Sequence, residues 1–167
     1  MTLDVFADIA CPWCYIGEAH LQAALAQRPH LGVERCWRPF QLQPDLPREG
    51  LPSGPFFERK FGGADGVATV FARTEAAATE AGLRMDLHAM RRAPNTTDAH
   101  RLVLLAETYG RTWEAVDALF EAHFADGRAL NDTADLVAIA AHAGLPGADA
   151  RVLLGAARFE ADVRRSQ

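Results

Sequence analysis

Near the N-terminus apolar and polar residues alternate, with Leu3, Val5, Ala7 and Ile9 interleaved with Asp4, Phe6 and Asp8. A period of two predicts a mostly apolar strand over 3–9, partly buried on both faces. The period then changes. Cys14, Leu21 and Leu25 share one helical face, so a helix is predicted over 13–27. Pro12 suits its first position, where a missing N–H costs nothing, and Pro29 stops it. A second strand is predicted over 33–42, with Pro39 marking an edge or its end. Residues 43–55 are rich in Pro and Gly and predict a loop.

The remainder reads almost entirely as helix. Asp65 is expected to cap a helix to Ala81, ended by Gly82. Thr96 or Thr97 is expected to cap 98–109, before Gly110. Thr112 is placed as the cap of a helix carrying Trp113, Val116, Leu119, Phe120 and Phe124, and Asp132 as the cap of one over 136–143. The last helix is predicted over 146–163. No repeat, low-complexity tract or heptad pattern is visible. Strand, helix, strand and then many helices define an α/β chain whose first strands pair in parallel across a right-handed crossover. Two strands alone make a poor sheet, so helices must cover them or more strands must join.

With 167 residues the chain can hold one domain with a substantial core, or a small domain carrying an insertion. The net charge is −5, Lys is nearly absent, and the Arg residues are scattered. This excludes nucleic acid as the main partner. Residues 1–27 hold no basic start, apolar run and small-residue cleavage site, and no apolar run is long enough to span a bilayer. The expectation is a cytoplasmic protein with no membrane partner. There a structural disulfide is rare, and close cysteine pairs are catalytic or metal-binding.

Cys11-Pro12-Trp13-Cys14 is such a pair, set between the first strand and the first helix. A C-x-x-C in that context is the redox arrangement of thioredoxin-like proteins. A thiol at a helix N-terminus faces unpaired N–H groups and the positive end of the helix dipole, and both favour the reactive thiolate. Cys11 is therefore the expected nucleophile, and Cys14, one turn inward, the resolving thiol. A zinc site would need two more ligands, and no second C-x-x-C or closely spaced His pair exists, so no metal is expected. Pro12 removes a donor and fixes the helix start. Trp13 either offers an apolar contact to substrate or packs on the helices. Glu18, four residues after Cys14, either relays a proton from it or is a solvated surface residue. Cys36 reads as a partly buried free thiol. Phe61-Gly62-Gly63 follows a helix, the wrong context for a phosphate loop. His123 and His142 sit on predicted helices as packing or surface residues.

Three segments carry a resemblance: 8–17 (Asp8 to Gly17, around the cysteine pair), Trp37-Arg38-Pro39-Phe40-Gln41-Leu42, and Pro94-Asn95-Thr96-Thr97-Asp98-Ala99-His100-Arg101. In order and over nearly the whole chain, they resemble the FrnE-like branch of the DsbA family. The resemblance implies a thioredoxin-like β-α-β half-core over 1–54 and a large helical insertion domain over 55–167. It implies a thiol–disulfide oxidoreductase that needs no cofactor beyond a redox-active Cys11–Cys14 disulfide, with glutathione as an admissible co-substrate. The substrate would be a protein or small-molecule thiol or disulfide. Asn95 is carried over as a candidate wall of the substrate cleft, against the plainer reading of 95–100 as a helix start. Related branches are 2-hydroxychromene-2-carboxylate isomerases and kappa-class glutathione transferases, which typically replace the first cysteine by serine. Retention of both cysteines favours the redox branch. A glutathione-dependent isomerase is the alternative, and an inactive binding module the third reading.

The family pattern continues into two more strands, a last helix and a cis-proline facing the cysteines. No proline here fits that role, since Pro94 follows Ala93 and Pro146 follows Leu145. The expectation is a chain lacking the family's C-terminal part, its exposed strand edge covered by a partner in a homodimer.

Overall fold

The computed structural model describes residues 1–166. Strand β1 (Thr2–Ala7) runs parallel to β2 (Glu34–Pro39), in register from Thr2 opposite Glu34 to Ala7 opposite Pro39. Helix α1 (Pro12–Ala26) connects them, with a short 3₁₀ turn at Pro29–Leu31. The fold is thus α/β, as expected. The inward residues of β1 are Leu3, Val5 and Ala7. Its outer face is more open than predicted, with Phe6 61% exposed beside the Asp4–Arg38 ion pair. Strand β2 stops at Pro39, which has no N–H to offer the ladder. The N–H of Leu42 turns instead to the side chain of Asp8, at 2.8 Å from Oδ2.

The helical part comprises α2 (Ser53–Phe61), α3 (Ala64–Glu80), α4 (Thr97–Thr108), α5 (Thr112–Phe124), α6 (Thr133–His142), α7 (Gly147–Leu154) and α8 (Glu160–Arg165). The core lies on α4 and α5. Leu102, Val103, Val116, Leu119, Phe120 and Phe124 are essentially inaccessible there. The β-α-β unit is sewn to this core by two aromatics. Tyr15 of α1 stacks on Phe120 at 5.0 Å and on Phe124 at 5.9 Å. Trp37 of β2 meets Phe120 and Trp113 edge-on. Helix α5 is therefore the floor under the cysteine motif.

Several expectations are corrected. Asp65 lies inside the first turn of α3, whose N-cap is Gly63, and no side chain caps that end. The loop predicted over 43–55 contains β3 (Leu51–Pro52), antiparallel to β4 (Arg92–Ala93), and the first turn of α2. Gly50 makes this possible: its φ is +69°, and a Cβ there would lie 2.5 Å from the carbonyl oxygen of Ala93. At α4 Thr96 holds the N-cap position, as expected, but its side chain makes no capping hydrogen bond. Asn95 Oδ1 accepts the N–H of Thr97 at 2.9 Å, and both threonine hydroxyls accept instead from Gln41. At α5 Thr112 is the first helical residue, and no side chain caps that end. The helix predicted over 146–163 is two helices. The buried guanidinium of Arg101 donates to the carbonyls of Leu153, Ala156 and Arg158, tying the end of α7 and the bend before α8 to α4. Asp132, by contrast, caps α6 as expected, accepting from the N–H of Asp135 at 3.0 Å. Among the described residues no helix is long and apolar enough to cross a membrane.

Candidate active site

Cys11 is the N-cap of α1. Its backbone is extended, its carbonyl accepts the N–H groups of Cys14 at 3.0 Å and Tyr15 at 3.2 Å, and its sulfur accepts the N–H of Cys14 at 3.4 Å. A thiol is thus used where a Ser or Asp oxygen commonly caps a helix. Pro12 occupies the first turn, where no donor is lost. Cys14 is one turn on and packs against the core. Both thiols are free, as is Cys36 on β2.

The two thiols are pushed in opposite directions. Cys11 is lowered to about 7, first by a hydrogen bond from the Cys14 thiol, then by the backbone N–H groups of Cys14 and Trp13, against burial and the charge of Asp8. Cys14 is raised, because its proton is held by the Cys11 sulfur and because it is buried. One proton shared between the pair therefore resides on Cys14, leaving the nucleophilic charge on Cys11.

Beneath the motif lies a buried polar pair that sequence reasoning missed. Asp8 is 2% exposed. Its Oδ1 lies 3.3 Å from Nε2 of His100 on α4, and its two oxygens also accept the N–H groups of Ala10 and Leu42. Burial raises the Asp8 pKa, but the His100 contact, the Leu42 N–H and Thr96 together bring it below the usual value. An acidic residue ending an apolar strand three positions before the cysteine was the available signal. Its partner lies 92 residues away, and no local pattern connects them.

Cys11, Pro12 and Trp13 form part of the wall of a cavity of about 240 Å³. Trp13 is 49% exposed, so it stands at the rim and not within the core. The far walls come from α2, α3 and the segment before β4, with Phe57, Phe61, Phe71, Leu87 and Met90 among them. Phe57 stacks on Phe61 at 5.9 Å and meets Phe71 edge-on at 5.3 Å. His123 of α5 closes one side. It is fully buried, its Nδ1 is 3.2 Å from the carbonyl oxygen of Arg128, and burial lowers its pKa to about 4. It is therefore a neutral imidazole.

The two remaining candidates lie elsewhere. Glu18 is 5% exposed, which is neither the solvated position nor the relay position. It pairs with Arg35 of β2 and accepts from Gln22 at 3.3 Å, and none of its hydrogen bonds goes to Cys14. Burial raises its pKa against the pull of Arg35, whose guanidinium also lies 3.9 Å from the centre of the Trp113 ring. Asn95 holds the start of α4 and donates to the carbonyl of Leu46 at 2.6 Å. Its neighbours Pro94 and Thr96 line the cavity, and Asn95 does not. No grouping of three or more His, Cys, Asp or Glu side chains able to hold a metal ion occurs among the described residues.

A parallel β-α-β unit with a thiol pair at the start of its helix, clasped by further helices, defines a thioredoxin-like protein of the helix-bearing kind. The chain belongs to the family of DSBA-like thioredoxin domains, whose model matches residues 2–167. It is similar to the crystal structure of a probable DsbA oxidoreductase from Streptomyces coelicolor, at 34% identity and a TM-score of 0.90, over 100% of this chain and 73% of that one. A 2-hydroxychromene-2-carboxylate isomerase shares the fold, at 14% identity and a TM-score of 0.71, over 99% of this chain and 79% of that one. Among curated proteins, the uncharacterized protein YwbO of Bacillus subtilis strain 168 is 24% identical over 167 residues, 98% of this chain and 76% of its own length.

Proposed function

We propose that this chain is a thiol–disulfide oxidoreductase of the FrnE-like type, with Cys11 as nucleophile and Cys14 as resolving thiol. The observation that carries the reading is the asymmetry of the pair. The Cys11 thiol is lowered to about 7 and borders a cavity, whereas the Cys14 thiol is raised and packs on the core. An attacking thiol is most effective when its pKa is near ambient pH.

In reduction, the Cys11 thiolate attacks one sulfur of a substrate disulfide. A Cys11–substrate disulfide forms, and the other substrate sulfur leaves as a thiolate. Cys14, losing its proton, then attacks Cys11 and releases the second substrate thiol. The substrate gains two electrons, and the pair becomes a Cys11–Cys14 disulfide. Oxidation of a substrate dithiol is the same sequence reversed. In the reducing cytoplasm, the expected compartment, net flow is toward substrate reduction, with glutathione able to restore the dithiol. No metal or nucleotide enters either direction. Reduction of insulin by a dithiol reductant tests the reading: Cys11→Ser is expected to abolish the catalysed rate, and an unchanged rate overturns it.

A glutathione-dependent isomerase is favoured by one observation, the apolar cavity of about 240 Å³ beside Cys11, which would hold the small organic substrate. Stabilisation by glutathione together with no catalysed exchange would select it.

A further inference from the structure

Most of the cavity wall is hydrocarbon. Phe57, Phe61, Val70, Phe71, Leu87 and Met90 present rings and aliphatic carbons to a space of about 240 Å³. An apolar cavity of about 150 Å³ is enough to stay dry and take up benzene. This one has room for a substituted ring. Three features make it more than a void. A thiol with lowered pKa, Cys11, is part of its wall. His123, 2% exposed, is also part of its wall, and its Nδ1 is committed to the carbonyl of Arg128. In the neutral ring that leaves Nε2 as the nitrogen with a free lone pair, able to accept a hydrogen bond. Lastly, ionic groups are scarce. Asp8 is already paired with His100, and Lys60, the only lysine of the chain, is exposed with its ammonium over Phe56 and Phe61.

We infer that this cavity is a substrate site for an uncharged aromatic thiol, presented as its disulfide, with the ring among the phenylalanines, a ring-borne hydroxyl donating to His123 Nε2, and the sulfur at Cys11. The inference rests on the exchange reading above and names its substrate class. Burying a ring here removes apolar surface from water, and the hydroxyl donates to the acceptor nitrogen of His123. Glutathione does not match this lining. Its two carboxylates and ammonium would have to leave water for a site that offers one rim cation. Glutathione then serves from solvent, as the thiol that regenerates the pair. The chemistry balances as before: the Cys11 thiolate bonds to the ring-bearing sulfur, the disulfide breaks, and the outer thiol leaves with the electron pair. Cys14 then displaces the aromatic thiol, so that the pair is oxidised and the disulfide reduced.

Methanethiosulfonates test this directly. Each reagent transfers R–S to a thiolate while methanesulfinate leaves with the bonding pair, so the leaving group is the same for every R. Rates on Cys11 are measured in the Cys14→Ser chain, where the adduct persists, with the site confirmed by peptide mass. Each is divided by the rate of the same reagent with 2-mercaptoethanol. The normalised benzyl rate is expected to exceed the methyl rate by about tenfold or more. The 4-hydroxybenzyl reagent is expected to gain about fivefold more, and His123→Phe to remove that further gain. Val70→Phe, which fills the cavity from one wall, is expected to lower the benzyl preference and keeps the test open if the His123 variant fails to fold. Equal normalised benzyl and methyl rates overturn the proposal while leaving the exchange reading standing. Equal benzyl and hydroxybenzyl rates overturn the His123 contact. A Cys11 inert even to the methyl reagent overturns the exchange reading itself.

Discussion

The carboxylate of Asp8 and the imidazole of His100 meet 3.3 Å apart in the core, with neither side chain more than 3% exposed, directly behind the N-cap that carries the Cys11 sulfur. The pair ties β1 to α4 and places a negative charge that opposes ionisation of both cysteines. Asp8→Asn keeps the shape and removes the charge. It is expected to move the Cys11 pKa below its value of about 7, read from thiolate absorbance against pH. It should also cost about 2 kcal/mol in urea unfolding, because His100 loses its charged partner. A Cys11 pKa that rises in this variant would contradict the assigned sign.

His123 sets an acid limit on stability. Its folded pKa, about 4, lies below its ordinary value of 6.5, so between these the unfolded chain binds the extra proton. Stability is therefore full above the ordinary value and falls as pH drops toward 4, by on the order of 3 kcal/mol. Asp8, lowered from 3.8, adds a further loss only below that value. Unfolding free energies at about pH 7 and about pH 4.5 should differ markedly in the wild type and much less in His123→Phe. Parallel curves for the two proteins would refute the assignment.

Glu18 depends on Arg35. Arg35→Met leaves a buried carboxylate without its cation and is expected to cost about 3 kcal/mol. Adding Glu18→Gln to it should recover a good part of that loss, since the uncompensated charge is gone. Exchange rates should change little, because Glu18 makes its hydrogen bonds to Arg35 and Gln22. If the double variant is as unstable as the single one, the pair is not the source of the cost.

Cys14→Ser removes the resolving thiol while keeping a side-chain donor toward Cys11. It is expected to accumulate a Cys11–substrate disulfide, visible as a mass adduct on non-reducing analysis, and to stop turnover. Continued turnover without an adduct would assign resolution to another thiol.

Much of this was legible along the chain. The alternation from Leu3 to Ile9 and the Cys11–Cys14 spacing place a strand and a helix about one motif, and β1, α1 and β2 lie there. The polar block at 95–100 marks a helix start, which α4 supplies with Thr96 at the N-cap position, although the side chain that accepts a helix N–H there is that of Asn95. What was hidden depends on distant partners. Asp8 looks like one polar position in an alternating strand until α4 folds against it. Glu18 looks solvated until Arg35 reaches it from β2. The two-residue strands β3 and β4 have no periodicity to read. Phe57, Phe61 and Phe71 form one cavity wall only because α2 and α3 pack together.

The most direct test of the central claim is the pH dependence of iodoacetamide alkylation in the reduced chain, with the modified residue mapped by mass. The account predicts one early adduct, on Cys11, with a rate midpoint near pH 7, and with Cys14 unmodified over the same interval. A midpoint at the ordinary thiol value of 9.0, or first reaction at Cys14, would contradict it.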